Sequence, residues 1–288
     1  MMKYILKRLS LLLIVFKFIL FYNVSAQSID ETIKFADNQY GELNYKLAIK
    51  EYQRALFFSN GDKIEYLYKQ IANSNFNIHN YDKAAYYYEL SYKTSYNDSL
   101  KNELLLKKAS CYILNENYDL ALLELINFSD SLDIYFENRK NFYYAVIYFG
   151  LEDFEVSKSY FLKIFNDKQL LEKQQIELIF DKKKNFNNPN PKFAKLISFI
   201  VPGSGQLYSG NFKNGLNSLI LTSGIAVLGI YIAQYYSVFD AILSTAPWFF
   251  RYYVGGAQNS KKIALNKRAK RRDKTYKKIL NIIKTSNN

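Results

Sequence analysis

Few side chains in this 288-residue chain have the chemistry to act on a substrate, and their surroundings argue against it. His79 is the only histidine and Cys111 the only cysteine. His79 falls in Asn77-Ile78-His79-Asn80, a polar stretch where a chain reverses, and reads as a solvated turn residue rather than a base. Cys111 lies in a helical stretch with no histidine nearby in sequence to activate it, which favours a packed thiol over a nucleophile. Cys and His spacings of a metal site are missing, and the neighbouring Glu152 and Asp153 occupy a turn. The run Pro202-Gly203-Ser204-Gly205-Gln206-Leu207-Tyr208-Ser209-Gly210 is loop-like, but it lacks the G-x-x-x-x-G-K-[ST] of a phosphate loop. These residues predict no enzyme, no cofactor and no metal.

Small residues are spaced more regularly than reactive ones. Tyr45-x-x-Ala48-x-x-x-Tyr52, Tyr81-x-x-Ala84-x-x-x-Tyr88, Tyr118-x-x-Ala121-x-x-x-Leu125 and Phe154-x-x-Ser157-x-x-x-Phe161 share one pattern, with steps of 36, 37 and 36 residues. Twelve residues before each small position stands Ala36, Ala72, Ala109 or Ala145. A small side chain on each of two helices lets their backbones approach, and the large residues three before and four after fill the same face. With only 11 glycines and 4 prolines, clustered late in the chain, an all-α body follows. Four helical hairpins are expected, with Gln169–Lys184 as a further, closing helix.

This pattern resembles the tetratricopeptide family, which implies a helical-hairpin solenoid over residues 27–184 and a concave face that binds a protein or peptide. Carried over by register, the family's groove positions are Asp37, Tyr40, Lys69, Asn73, Phe76, Ser110, Arg139 and Phe142. For Phe76 and Phe142, inter-repeat packing is an equal alternative.

Residues 185–193, with two prolines and a cluster of asparagines, break the helix and read as a linker. In 194–258, Asn214–Phe239 carries no charge over 26 residues, enough to cross a bilayer. A second segment, Ala241–Val254, is interrupted by Pro247 and Arg251, the latter flanked by aromatics as at a membrane interface. The motif residues Pro202, Gly203, Gly205, Gln206, Tyr208, Gly210 and Gly215 resemble the opening of small two-helix membrane modules of the TM2-like type. That resemblance implies a two-helix transmembrane module, or three segments if the motif stretch is itself a broken span.

The net charge of +13 is uneven: +4 in residues 1–26, −3 in 27–193, +2 in 194–260 and +10 in 261–288. Basic ends beside apolar segments report membrane topology more than nucleic-acid binding, which is the lesser reading of the 259–288 tail. In 1–26, Lys3, Lys7 and Arg8 precede an apolar run ending in Val24-Ser25-Ala26, as in a secretory signal peptide. Together these features predict a bacterial-type inner-membrane protein with periplasmic repeats and membrane lipid and a protein as partners. The tail is expected to be a membrane-surface amphipathic helix, and its charge favours the cytoplasmic side, in conflict with an even number of crossings.

Overall fold

The computed structural model describes residues 28–286 apart from 60, 62, 129–133 and 183, and every regular element among them is helical. The proposed signal sequence lies outside these residues. Contacts divide the chain into two compact units, Met1–Leu151 and Glu152–Asn288.

The first unit consists of α1 (Ile29–Gly41), α2 (Tyr45–Phe58), α3 (Ile64–Asn77), α4 (Tyr81–Thr94), α5 (Asp98–Leu114), α6 (Tyr118–Ile126) and α7 (Ile134–Gly150). Each helix packs on the next, in consecutive hairpins. Ser28 starts α1 with a reciprocal cap: its hydroxyl accepts from the Glu31 N–H at 3.1 Å, and the Glu31 carboxylate accepts from the Ser28 N–H at 3.2 Å. The small register positions Ala36, Ala48, Ala72, Ala84, Ala109, Ala121 and Ala145 are all 0 % exposed. Beside them Tyr52, Tyr88 and Leu125 are buried. Cys111 joins Ala72, Ala84, Tyr88 and Leu104 in one cluster, where burial pushes its thiol up to about 12. It is a packed thiol with little thiolate character.

The hairpin turns repeat as closely as the seams. Leu43, His79, Glu116 and Glu152 have φ of 64°, 61°, 57° and 65°. The residue after each, Asn44, Asn80, Asn117 or Asp153, is the N-cap of the following helix. In three turns that residue's N–H reaches back five residues, to Gln39, Asn75 and Tyr112 carbonyls at 2.9, 2.9 and 2.8 Å. This left-handed stop closes orphan carbonyls and reverses the chain. His79 is thus a backbone turn residue, its Nδ1 2.7 Å from the Tyr81 hydroxyl. At Gly150 a Cβ would stand 2.7 Å from Tyr118 Cε2 and nearer to other ring atoms, so the ring takes the place of a side chain.

The second unit comprises α8 (Phe154–Lys163), α9 (Leu170–Asp181), α10 (Lys184–Asn187), α11 (Pro191–Ile200), α12 (Ser204–Tyr208), α13 (Phe212–Tyr235) and α14 (Val238–Ser286). The register positions Ser157 and Phe161 on α8 are buried like their counterparts. The asparagine-proline stretch interrupts the helix at 188–190, and Asn190 then caps α11 with Pro191 in its first turn. Within that stretch Phe186 is buried, stacked between Phe154 and Phe180 at 4.4 and 5.3 Å.

Among the described residues only α13 is long and apolar enough to cross a membrane, and only 6 % of its most apolar window is buried. A two-helix module is therefore not what the geometry displays: Ala241–Val254 is the start of one 49-residue helix that holds Pro247 in its interior and continues into the basic tail. α13 and α14 pack together, with Gly229 closing on Thr245 and Gly256 on Ser218. The tail's apolar side is also partly covered by protein, since α14 contacts α9, α10 and α11 and buries Ala264, Ile279 and Ile283. Ile279 and Ile283 are thus no longer available to a bilayer surface.

Candidate functional site

Two places gather the sequence-selected residues, one in each unit. In the first, the first helices of the hairpins, α1, α3, α5 and α7, carry a continuous polar row. Relative to each register alanine its members stand at −6 (Tyr66, Glu103, Arg139), −2 (Gln70, Lys107, Tyr143) and +1 (Asp37, Asn73, Ser110), spacings of four and three that lie on one helical face. Asp37 Oδ1 accepts from the Tyr66 hydroxyl at 2.7 Å and from Tyr52 at 2.6 Å. Asn73 Oδ1 accepts from Tyr88 at 2.8 Å and from Lys107 Nζ at 3.0 Å, while its amide donates to Gln70 at 2.9 Å. Ser110 shares a 2.6 Å hydrogen bond with Tyr143, and Arg139 pairs with Glu103 and donates to the Tyr135 hydroxyl at 3.0 Å. The Asp37–Tyr66, Asn73–Lys107, Ser110–Tyr143 and Glu103–Arg139 bonds tie one hairpin to the next, so these residues knit the array as well as line it.

The remaining groove positions play other parts. Tyr40 meets Tyr45 edge-on at 5.3 Å and accepts from the Asn77 amide at 3.0 Å. Phe76 meets Tyr81 in the same way at 5.4 Å, which marks both as packing inside the hairpin turn. Lys69 Nζ lies 5.8 Å from the Tyr66 ring centre, and Phe142 is half-buried with its ring 6.1 Å from that of Tyr143.

Burial tunes this row. Desolvation holds Tyr52 and Tyr88 well above the ordinary phenol value, Asp37 adding to the effect at Tyr52. Tyr66 is pushed up to about 12, by burial first and by Asp37 as well, against a lowering bond from Gln70. Lys107 moves the other way: burial lowers it, Lys69 and Arg139 add repulsion, and Glu103 compensates only in part. No salt bridge reaches Lys107 among the described residues; its ammonium has Asn73 and the Tyr88 face, 5.8 Å from the ring centre. Its neighbour Lys108, on another face, bridges Glu89 and Glu124 at 2.6 and 2.9 Å.

In the second unit the motif closes a knot of four helices. Gly203 has φ 90°, and a Cβ there would meet the Gly215 backbone, 3.0 Å from its carbonyl carbon and nearer its oxygen. Gly205 faces the Ala194 carbonyl just as tightly, and a Cβ on Gly215 would lie 2.7 Å from Leu207. Gln206 is fully buried. Its oxygen accepts from Ser198 at 3.2 Å and its amide donates to the Gly256 carbonyl at 2.9 Å, linking α11, α12 and α14. Tyr208 accepts from the Asn190 N–H at 3.1 Å. Gly210, at φ 77°, repeats the hairpins' left-handed stop: the Asn211 N–H reaches the Gln206 carbonyl at 2.8 Å, and Asn211 caps α13. Pro202 stands half-buried just after α11 ends.

Beside the knot is an open cleft of about 340 Å³ with Asn214, Asn217, Asn259 and Arg251 among its lining residues. Arg251 sits over the Trp248 ring at 5.7 Å. Among the described residues no three of His, Cys, Asp and Glu gather as a metal site would require. No family model matches the chain, and comparison with curated proteins and with solved structures finds no match.

Proposed function

We propose that this chain is a tetratricopeptide-like scaffold, without catalytic activity of its own, held at a membrane by a TM2-like apolar hairpin and presenting the row on α1, α3, α5 and α7 to an acidic segment of a protein partner. The observation that carries this reading is Lys107. A half-buried ammonium without a paired carboxylate costs stability, and its place in the middle of a repeating row suits an incoming carboxylate. The uncovered apolar surface of α13, with Leu216, Ile220, Val227 and Ile230 all exposed, supports the membrane half, because soluble proteins rarely leave so large an apolar patch open.

A photo-crosslinking side chain placed at 69, 107 or 142 in the intact, membrane-bound protein should capture one and the same protein, and the same group at exposed Lys83 should capture none. Equal capture from all four positions would sink the proposal.

The tail packs on the same elements that follow Glu152. Arg272 bridges Glu152, with one pair of atoms at 2.9 Å, and the Gln169 amide donates to the Ser286 carbonyl at 3.1 Å. These contacts support a topology in which both ends of the α13–α14 hairpin lie on one side of the bilayer, together with the helices α8 to α11 that precede them. In a Cys111→Ser background, cysteines at Ser159 and Asn281 should react alike with a membrane-impermeant thiol reagent, while one at the tip, Ser237, should differ from both. A cell-envelope location rests on the secretory character of 1–26 alone.

The second reading makes the hairpin the working part of an insertion or transport machine, with the repeats docking it. The polar cleft around Arg251 favours it, since Asn214, Asn217 and Asn259 place hydrogen-bonding groups beside apolar helices. Arg251→Leu should then abolish function while leaving crosslinking at 107 intact.

A further inference from the structure

At the end of α13 where the apolar helix begins, a cavity of about 480 Å³ lies between Ser209–Lys213 and the face of α14 made by Ile263, Asn266, Lys267 and Lys270. A second, of about 240 Å³, shares Ser209, Gly210 and Lys267 with it and adds Arg271. Lys213, Lys267 and Lys270 line the first of these adjoining clefts and Lys267 and Arg271 the second, and none of the lining residues is acidic.

The basic tail sorts its charges by helical face. Arg268 and Arg272 turn to Glu152, and Lys277 pairs with Asp273, the tail's one acid, at 2.8 Å. Residues 263, 266, 267 and 270 follow the i, i+3, i+4, i+7 spacing of a separate stripe. On that stripe Lys267 and Lys270 make no salt bridge among the described residues, nor does Lys213 across the cavity. Arg271 donates to the Asn188 carbonyl at 3.0 Å, which fixes its guanidinium at the cavity's edge. Three exposed lysines that make no salt bridge among the described residues thus line one open cleft together with the Gly210 turn, where no side chain fills the space.

We propose that this cavity binds a phosphate group, and that the phosphate is the headgroup of an anionic lipid. Depth decides the source. Lys213 is the second residue of a helix that carries no further charge along its length, so with α13 in the bilayer the cavity stands at headgroup level. Lysines there are drawn to anionic lipid, each worth about a fivefold preference. The proposal rests on the reading of α13 as a membrane-embedded helix. It adds a lipid class and a site to that reading.

The test uses the full-length chain carrying Phe212→Trp and Trp248→Phe, so that the single tryptophan lines the cavity. Incorporation into neutral phosphatidylcholine vesicles is scored first by flotation. Quenching is then compared for trace brominated phosphatidylglycerol and trace brominated phosphatidylcholine. Quenching by the anionic lipid should be preferred about tenfold or more, the preference should collapse toward unity in Lys213→Gln/Lys267→Gln/Lys270→Gln, and it should persist in Lys274→Gln/Lys278→Gln/Lys284→Gln. Normal incorporation with no preference, or equal loss in both triple variants, would overturn the site and leave the membrane reading standing. Failure to incorporate even into neutral vesicles would overturn the membrane reading and the site with it. Loss of the preference in millimolar inorganic phosphate, at ionic strength matched with chloride, would assign the cavity to a soluble phosphate and overturn the lipid.

Discussion

Gly205→Ala is the sharpest probe of the helical knot. The added Cβ would lie 2.8 Å from the Ala194 carbonyl carbon and closer still to its oxygen, where ordinary contact begins at 3.4 Å. α11 and α12 must then separate by more than about half an ångström, and a backbone carbonyl cannot rotate away as a side-chain tip can. Overpacking of this kind costs about 1–3 kcal/mol. The same movement loosens three hydrogen bonds: Gly205 N–H to Ser198 at 3.0 Å, Ser198 to Gln206 at 3.2 Å, and Ser260 to the Ala194 carbonyl at 3.0 Å. If half of their usual worth of about 1 kcal/mol each is lost, the total comes to roughly 2.5–4.5 kcal/mol. Gly224→Ala is the matched control: it lies within α13, nothing stands within 4 Å of its Cβ, and the better helix former should gain up to about 1 kcal/mol. Trp248, the sole tryptophan, lies in α14 and reports the second unit alone when the full chain is unfolded by denaturant in detergent. Equal midpoints for the two variants, within about 0.5 kcal/mol, would refute the close approach of α11 and α12.

Leu43 is exposed and left-handed, a conformation costing roughly 1–2 kcal/mol for such a residue; Leu43→Asn should therefore raise the melting temperature of the first unit and Leu43→Val lower it, as read by circular dichroism. Lys107→Met should stabilise the same unit while weakening partner capture. Since burial sets the folded pKa of Lys107 below its unfolded value, charging it opposes folding at neutral pH. Wild-type stability should rise with pH as that lysine deprotonates, until the buried tyrosines Tyr52 and Tyr88, held above their ordinary value, reverse the trend beyond about pH 10; a Lys107→Met titration curve parallel to wild type would reject the assignment. Glu152 is held below the usual carboxylate range by its hydrogen bond to Arg272, with burial opposing. Its contribution is present above about pH 4.5 and lost as pH falls through the lower folded value. Measured as wild type against Glu152→Gln, it should not exceed about 1 kcal/mol, because the carboxylate is half exposed.

The helix seams were legible because close packing leaves a compositional mark: only a small residue fits where two backbones meet, and eight such positions kept step. The turns were legible as places, at Asn77–Asn80 and at Glu152 and Asp153, but their backbone conformation left no such mark. Their left-handed residues, Leu43, His79, Glu116 and Glu152, share the 36, 37, 36 spacing but no chemistry, and none is the glycine or asparagine that usually betrays this conformation. The polar row was read in part, through Asp37, Asn73, Ser110 and Arg139. Tyr66, Gln70, Glu103, Lys107 and Tyr143 were missed because their types change from repeat to repeat; counting back two and six from each register alanine would have found them. Of the motif, glycine and glutamine types were visible, but that Gln206 would lock three helices could not be read without knowing that Gly256 lies opposite. Nor can an apolar stripe such as Ile279 and Ile283 say whether lipid or protein will cover it.

That last ambiguity bears on how the second unit meets a bilayer. Apolar helices on a free linker would tilt and translate independently of the protein they tether. Here α14 passes without a break from apolar Ala241 to basic Lys284, a strut of roughly 70 Å at 1.5 Å per residue. It is fixed along that length by Gln206 at Gly256, Tyr253 on the Phe199 carbonyl, Ser260 on the Ala194 carbonyl, and Arg272 on Glu152 and the Phe186 carbonyl. The bonds come from α11, α12, the α10 turn and the start of α8, so any tilt of the apolar half must carry those elements with it or break hydrogen bonds one after another. On the proposal that α13 enters a bilayer, the cation cleft at its foot would act as a depth gauge: lipid phosphate drawn to Lys213, Lys267 and Lys270 would fix how far the hairpin enters. The stiffness of α14 would pass that setting to Glu152, the first residue of the second unit. On that proposal, position relative to the membrane is a property of packing in the second unit, and substitutions at Gly205 or Gln206 should change it without altering a single apolar residue of α13.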